Sequence, residues 1–298
     1  MDVYSLNTQY GFDEELVFFE HPSGLLYANV KTIHCTGEFF LQGAHVTRYQ
    51  DLLFMSQQAI YAQGKALRGG IPICFPWFNS HPSDASLPAH GWARTATWSV
   101  LQTHRSSDEI QVALGLSKDG FELVYRIGFG RQLKVALEAR NTTQSALEYE
   151  MALHTYFAVG DIDQVAITGD LQGCGYYDQL TKLQHEAQGS PIGFTQETDR
   201  IYYGHAPHIK IADPSLDRQI EIDSEGSRAT VVWNPWVEKS KRMSDFGDLE
   251  YQQMCCIETA NVRQRSVRLE PGETRTTSLC IKADANLDVA ENHSAVAN

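Results

Sequence analysis

Short runs in which apolar and polar residues alternate constrain the fold of this chain more than any other feature. These runs cover residues 109–114, 134–139, 208–211, 220–223 and 278–282. A period of two places successive side chains on opposite faces of a strand, so each run predicts a strand with one buried and one solvent-facing side. Turn-forming sequences separate such runs, namely Lys118-Asp119-Gly120, Ser224-Glu225-Gly226 and Pro271-Gly272-Glu273.

The rest of the chain offers little helical pattern. No run of four or more turns shows a period of 3.6 residues, and strands do not alternate with helices as they do in α/β proteins. The segment 243–251 predicts one short helix, limited by Gly247. The polar segment 184–199 predicts a loop between strands. We therefore predict an all-β, antiparallel β-sandwich.

Length and composition set the domain prediction. The chain has 298 residues, about two average domains, but all-β folds of this size often form one. No shift in composition and no long linker divides the sequence. We predict a single domain over residues 1–298, with a polar C-terminal tail from about residue 285.

The net charge of the chain disfavours some classes of binding partner. With 24 Lys and Arg against 37 Asp and Glu, the formal net charge is −13. Bulk electrostatics therefore disfavours attraction to nucleic acid or to an anionic membrane, and we expect neither as a partner. An anionic ligand would need local arginines. We expect the protein to be a monomer that binds a small molecule.

Cysteine usage and the N-terminal residues bear on location. No stretch approaches the ~20 apolar residues of a membrane helix, and Met1-Asp2-Val3-Tyr4 lacks the features of a signal peptide. The six cysteines are scattered without a CxxC pair, a usage typical of reduced, mostly buried thiols. We expect a cytoplasmic protein without a metal site, because the ligand spacing of a structural zinc is missing.

Two segments have the composition of a binding loop. Residues 68–78 combine Arg68 with two glycines, two prolines and three aromatic residues, which suits either a rigid loop lining a pocket or a structural turn. In residues 87–94, His90 and Arg94 flank a Gly-Trp pair. Arginine can grip an oxyanion and tryptophan can stack on a sugar ring. Taken alone, His90 also fits a structural role.

Two further segments carry a candidate acid–base group each. His154, in the strand-like segment 150–161, would share a face with Glu150 and Tyr156, although a surface or edge position also fits. Glu258 lies in the apolar segment 254–261. A buried carboxylate is costly unless it is paired or hydrogen-bonded. It therefore indicates either a functional role or an ion pair with a nearby arginine, Arg263 or Arg265.

Six pieces in a fixed order resemble the glucose-6-phosphate 1-epimerase family, the hexose-6-phosphate mutarotase branch of the galactose mutarotase-like superfamily. They are GKALRGGIP at 64–72, LPAHGWAR at 87–94, LHTYF at 153–157, DRIY at 199–202, VVWNPW at 231–236 and CIETAN at 256–261. The resemblance implies a β-supersandwich and an isomerase that interconverts the α and β anomers of a hexose 6-phosphate such as D-glucose 6-phosphate.

The resemblance also implies a role for each site residue. Glu258 is expected as the general base and His154 as the general acid. The expected substrate-binding residues are His90 and Asp199 near the anomeric centre, with Arg68 and Arg94 as a phosphate clamp.

The chemistry is consistent with this set. Mutarotation removes a proton from the C1 hydroxyl and delivers one to the ring oxygen, so it requires no cofactor and no metal. An ionised Glu258 and a protonated His154 would favour each other electrostatically. Two alternatives remain at this point: an aldose 1-epimerase of unphosphorylated hexose, and a non-catalytic carbohydrate-binding protein on the same fold.

Overall fold

The computed structural model describes residues 1–285. Its strands are β1 (Leu16–Glu20), β2 (Leu26–Lys31), β3 (Thr36–Phe40), β4 (His45–Tyr49), β5 (Ile73–Cys74), β6 (Ser99–Arg105), β7 (Ile110–Lys118), β8 (Phe121–Phe129), β9 (Leu133–Asn141), β10 (Leu147–Tyr149), β11 (Met151–Leu153), β12 (Tyr156–Ala158), β13 (Ala166–Gly169), β14 (Gly175–Asp178), β15 (Gln184–His185), β16 (Thr198–Tyr203), β17 (His208–Asp213), β18 (Arg218–Glu225), β19 (Ala229–Asn234), β20 (Met254–Asn261), β21 (Val267–Leu269) and β22 (Thr274–Ala285). The helices are α1 (Val3–Tyr10) and α2 (Trp236–Ser240), with 3₁₀ turns at Ile162–Gln164, Asp170–Gly173, Pro214–Leu216, Glu250–Gln253 and Arg263–Arg265.

These strands form two large sheets and two small ones. The first large sheet, called here the site sheet, has the order β15-β14-β16-β19-β20-β11-β5, with β12 also paired to β20. The second large sheet has the order β13-β17-β18-β22-β9-β8-β7-β6. A meander of β1 to β4 and the pair β10–β21 complete the set. Neighbouring strands pair antiparallel throughout.

The alternating runs form strands, as predicted, and all of them belong to the second sheet. They fall in β7, β9, β17, β18 and β22. Inner positions along β9, such as Val135 and Leu137, are buried. Asp119 and Gly120 take positive φ angles of 52° and 82° at the turn between β7 and β8, the conformation that a tight hairpin requires.

One continuous apolar core joins the two large sheets. It contains Val135 and Leu137 of the second sheet together with Cys255 and Ile257 of the site sheet. A fully buried Val, Leu or Ile side chain contributes roughly 1.5–3 kcal/mol. The predicted antiparallel β-sandwich is therefore confirmed. All six cysteines are free thiols, five of them buried, as expected.

The helix predicted over 243–251 is wrong. The nearest α-helix, α2, begins at Trp236, whose N–H donates to the Asn234 Oδ1 atom at 2.8 Å, and it ends at Ser240, before this segment. A 3₁₀ turn begins only at Glu250. Gly247 instead donates its N–H to the Glu250 Oε2 atom at 2.8 Å, which closes a turn.

The sequence did not indicate α1. It is capped by Asp2, whose side chain accepts the Ser5 N–H at 2.8 Å. Because Leu6 is its one buried residue, it carries no amphipathic pattern. The predicted loop 184–199 is irregular over 186–197, while its ends belong to β15 and β16.

The domain prediction stays a prediction, and the predicted tail lies outside the described residues. None of the helices within residues 1–285 has both the length and the apolar character that a membrane crossing requires.

Candidate active site

Strand register brings His154 and Glu258 together. Strands β11 and β12 pair with β20 in one continuous register, in which Leu153 opposes Thr259. The residue after Leu153, in the gap between β11 and β12, therefore lies opposite Glu258. Cross-strand partners share a face of the sheet. The observed distance from the His154 Nε2 atom to the Glu258 Oε1 atom is 3.3 Å.

The His154–Glu258 pair is almost fully enclosed. The two side chains are 9% and 1% exposed, respectively. The His154 ring stacks on Tyr156 with centroids 4.8 Å apart, and the Trp233 ring lies nearly perpendicular to it with centroids 6.0 Å apart. A surface position for His154 is therefore wrong. Glu258 contacts this histidine rather than an arginine, while Arg263 donates to Gln179 at 3.0 Å.

Asp199 lies on the same face of the site sheet. In register, Cys256 of β20 opposes Trp233 of β19, which opposes Asp199 of β16. The Asp199 carboxylate accepts a hydrogen bond from the Gln179 Nε2 atom at 2.5 Å, and the Lys239 ammonium lies 4.0 Å away. Burial raises the pKa of Asp199 above its ordinary value.

The loop that carries His90 packs closely against Phe75. Gly91 has a φ of 76°, and a Cβ atom there would lie 1.9 Å from the Phe75 carbonyl oxygen, so only glycine fits. The Asn79 N–H donates to the His90 Nδ1 atom at 3.3 Å. Because this donor requires an unprotonated nitrogen, the neutral ring carries its proton on Nε2. Burial and the nearby Arg94 lower the pKa of His90, which favours that neutral form.

A short chain of hydrogen bonds joins the His90 loop to Asp199. The Asn79 side-chain amide donates to the Gln179 Oε1 atom at 2.9 Å, and Gln179 in turn donates to Asp199. Sequence reasoning missed Asn79 and Gln179. Asn79 directly follows the segment 68–78 that it did single out, whereas Gln179 adjoins none, and neither residue type signals a site by itself.

The two arginines lie in the same region as the acid–base pair. Arg68 donates to the Tyr156 hydroxyl at 3.0 Å and to the Asp245 carboxylate at 3.1 Å. Arg94 donates to the Ala89 carbonyl at 2.8 Å. Among residues 1–285, the buried Nε atoms of both arginines lack a hydrogen-bond partner. Both guanidiniums lower the pKa of His154, so their charges reach the site.

Burial sets the charge state of the pair. It raises the pKa of Glu258 well above its ordinary value, and the charge of Asp199 adds to this effect while Arg94 opposes it. Burial also lowers the pKa of His154 well below its ordinary value, reinforced by His90, Arg94 and Arg68. Both shifts favour uncharged forms, opposite to the charged pair expected from the sequence. The neutral and charged pairs hold the same number of protons and differ only in where one proton sits.

A separate concavity of about 750 Å³ lies on the second sheet. Its charged side chains include ordinary surface pairs, such as Lys134 with Glu109 at 3.3 Å and His208 with Asp223 at 2.7 Å. No buried acid–base pair such as His154–Glu258 is found among the residues that line it. We therefore assign the candidate active site to the site sheet. There, His154, Cys256 and Glu258 also present donor atoms that could hold a metal ion.

Comparison with known proteins gives consistent matches over most of the chain. Residues 31–282 match the model of the aldose 1-epimerase family. A Cenchrus ciliaris protein, provisionally named a glucose-6-phosphate 1-epimerase, is 34% identical over 281 residues, with 85% of this chain and 83% of the relative covered. A Haemophilus influenzae protein with the same provisional name is 31% identical over 254 residues, covering 85% and 88%. The crystal structure of a Salmonella typhimurium protein, provisionally described as a mutarotase, matches with a TM-score of 0.85 at 26% identity, covering 92% and 95%.

Proposed function

Because the chain belongs to the aldose 1-epimerase family and is thus an epimerase, we propose that it interconverts the α and β anomers of a hexose 6-phosphate. The observation that supports this substrate is the buried pair His154–Glu258 beside two guanidiniums whose Nε atoms have no hydrogen-bond partner within residues 1–285. A buried donor without a partner costs roughly 1–3 kcal/mol. A phosphate dianion would satisfy the donors of Arg68 and Arg94, whereas an unphosphorylated hexose has no group of that charge. The provisional names of the relatives agree with this substrate.

In the proposed mechanism, the ionised Glu258 removes the proton from the C1 hydroxyl while His154 delivers a proton to the ring oxygen. The bond from C1 to the ring oxygen breaks and leaves an open-chain aldehyde. Rotation about the C1–C2 bond presents the other face of the aldehyde, and the reverse proton transfers close the ring. Each positioned transfer typically contributes ~10²–10⁴-fold.

The charge state of the pair matters to this mechanism. Burial favours the neutral forms, so one proton must pass from Glu258 to His154 before the cycle begins. The 3.3 Å separation of the two side chains is consistent with a direct transfer. His90, with its proton on Nε2, would donate to a sugar oxygen, and Asp199 would accept from a sugar hydroxyl.

An unphosphorylated hexose is the second candidate substrate. It is favoured by the contacts of Arg68, which already donates to Asp245 and Tyr156. The Asp245 carboxylate neutralises part of the positive charge of Arg68 that would otherwise attract a phosphate.

Magnetisation-exchange NMR measures the rate at which the α and β anomers interconvert and so tests which of the two candidate sugars is the substrate. We expect faster exchange of glucose 6-phosphate in the presence of the protein. We expect Arg94→Ala to raise KM for glucose 6-phosphate by about tenfold or more, since one charge-assisted hydrogen bond contributes roughly 1.5–3 kcal/mol. KM for glucose should barely change. Arg126→Ala removes the same charge from the second sheet, where Arg126 pairs with Glu138, and serves as the control. Equal effects of Arg94→Ala on both sugars would contradict the phosphate assignment.

A further inference from the structure

We propose that His154, Cys256 and Glu258 form a binding site for Zn²⁺ that inhibits the enzyme. The inhibition rests on the proposed function, because zinc would occupy the lone pairs that the proton transfers use. The binding of the metal does not rest on it, because it follows from the three donor side chains alone.

The spacing of the donors suits zinc. One donor atom from each residue lies within 4.8 Å of the other two. Zinc bonds nitrogen and oxygen at about 2.0–2.2 Å and sulfur at about 2.3 Å, so tetrahedral ligands stand roughly 3.3–3.7 Å apart. The His154–Glu258 distance of 3.3 Å is already in that range. A shift of at most about 1 Å by the Cys256 thiol would complete the set.

The sheet dictates which cysteine takes part. Cys256 precedes Glu258 by two residues on β20, so the two side chains share a face. In register it opposes Tyr156, the residue on which the His154 ring stacks. The adjacent Cys255 opposes Phe157 and faces the core between the sheets. Two neighbouring buried thiols therefore differ in this one respect, which makes Cys255 a matched control.

Two of the three proposed ligand side chains carry a buried polar atom that makes no hydrogen bond within the described part of the chain. The Glu258 Oε2 and His154 Nδ1 atoms are buried and lack a hydrogen-bond partner among residues 1–285. A set of thiolate, imidazole and carboxylate suits Zn²⁺ better than Mg²⁺ or Ca²⁺, which prefer oxygen ligands alone. Binding releases two protons to solvent, the thiol proton of Cys256 and the one proton that the His154–Glu258 pair holds. Three protein ligands leave a fourth position for water, as in catalytic zinc sites.

Charge limits the affinity. The guanidiniums of Arg68 and Arg94 oppose a cation in this region, while the carboxylate of Asp199 favours one. We therefore expect zinc to bind reversibly and to compete with the sugar phosphate for this site, rather than to be permanently bound.

Co²⁺ reports the proposed ligands directly, because a thiolate bound to it produces a charge-transfer absorption band. We expect this band when the wild-type protein or Cys255→Ser is titrated with Co²⁺, and its loss in Cys256→Ser. Added Zn²⁺ should abolish the band by displacement.

In parallel, Zn²⁺ should inhibit epimerisation by the wild type and by Cys255→Ser, and a chelator should restore the activity. Each protein is compared with its own rate without metal. Cys256→Ser should raise the Zn²⁺ concentration for half inhibition at least about tenfold. Raising glucose 6-phosphate should raise that concentration in the wild type.

Absence of the band in the wild type would overturn the proposal even if Cys256→Ser does not fold. Equal zinc inhibition of Cys256→Ser and Cys255→Ser would also overturn it. A cobalt band in a protein without epimerase activity on any hexose would instead refute the proposed function and leave the metal site standing.

Discussion

Replacement of Glu258 by glutamine tests the assignment of the general base. The amide has nearly the same shape and volume as the carboxylic acid, so the packing around it is retained. It cannot accept a proton from the C1 hydroxyl. The side chain is 1% exposed and lies 3.3 Å from its partner His154, so water has little access to take over the role.

The expected loss follows from the role of a single positioned base. General base catalysis typically contributes ~10²–10⁴-fold, which corresponds to about 2.7–5.4 kcal/mol in the barrier at 1.36 kcal/mol per tenfold. We expect kcat of Glu258→Gln to fall by this factor. KM should change by less than about threefold, because the phosphate contacts lie on other residues.

The assay is magnetisation exchange between the α and β anomers of glucose 6-phosphate at saturating substrate, with the spontaneous rate subtracted. Glu122→Gln is the control, since it makes the same chemical change at an exposed surface pair with Arg140. Circular dichroism and thermal unfolding confirm that both variants fold. A Glu258→Gln protein that is folded and retains more than about a tenth of wild-type kcat would refute the role of Glu258 as base.

Three further predictions concern stability. Burial raises the pKa of Glu258 in the folded state, so the folded protein keeps this proton at pH values where the unfolded chain, with a pKa of about 4.3, has released it. Urea denaturation should therefore show the wild type losing stability relative to Glu258→Gln as the pH rises above ~4.3. A stability difference that does not change with pH would contradict this. Arg218 and Asp213 form a buried ion pair, 8% and 0% exposed, so Arg218→Ala should lower the free energy of unfolding by about 3–5 kcal/mol, and a loss below about 1 kcal/mol would show that the pair is dispensable. In Gly91→Ala, the added methyl group should clash with the Phe75 carbonyl and displace the loop that carries His90, which should lower Tm and raise KM. Gly64→Ala is the control and should leave KM unchanged, because the space around Gly64 is open.

Local periodicity was sufficient to predict five of the eight strands of the second sheet. Its strands β7, β9, β17, β18 and β22 each bury one face, and such strands alternate in sequence whatever they pair with. The helices were not predictable in this way. Helix α1 buries only Leu6, and the start of α2 depends on a hydrogen bond from Trp236 to the side chain of Asn234.

The candidate residues could be picked from the sequence because their types and neighbours are unusual, and because six pieces in order resemble one family. The arrangement of these residues relative to one another could not be predicted from the sequence. His154 meets Glu258 through the register of β11 and β12 on β20, and Asn79 meets Gln179 only after the loops are placed. The network around Asp199 therefore appeared only with the structure.

The sequence by itself determined that the chain is a β-sandwich and which side chains are candidates for the chemistry, since both depend on the types and order of neighbouring residues. The tertiary structure alone decided which of these side chains touch, and in which charge state. Contact depends on strand pairing between distant segments. The direction of a pKa shift depends on how completely water is excluded, so only the folded sheet made the uncharged forms of His154 and Glu258 the favoured ones.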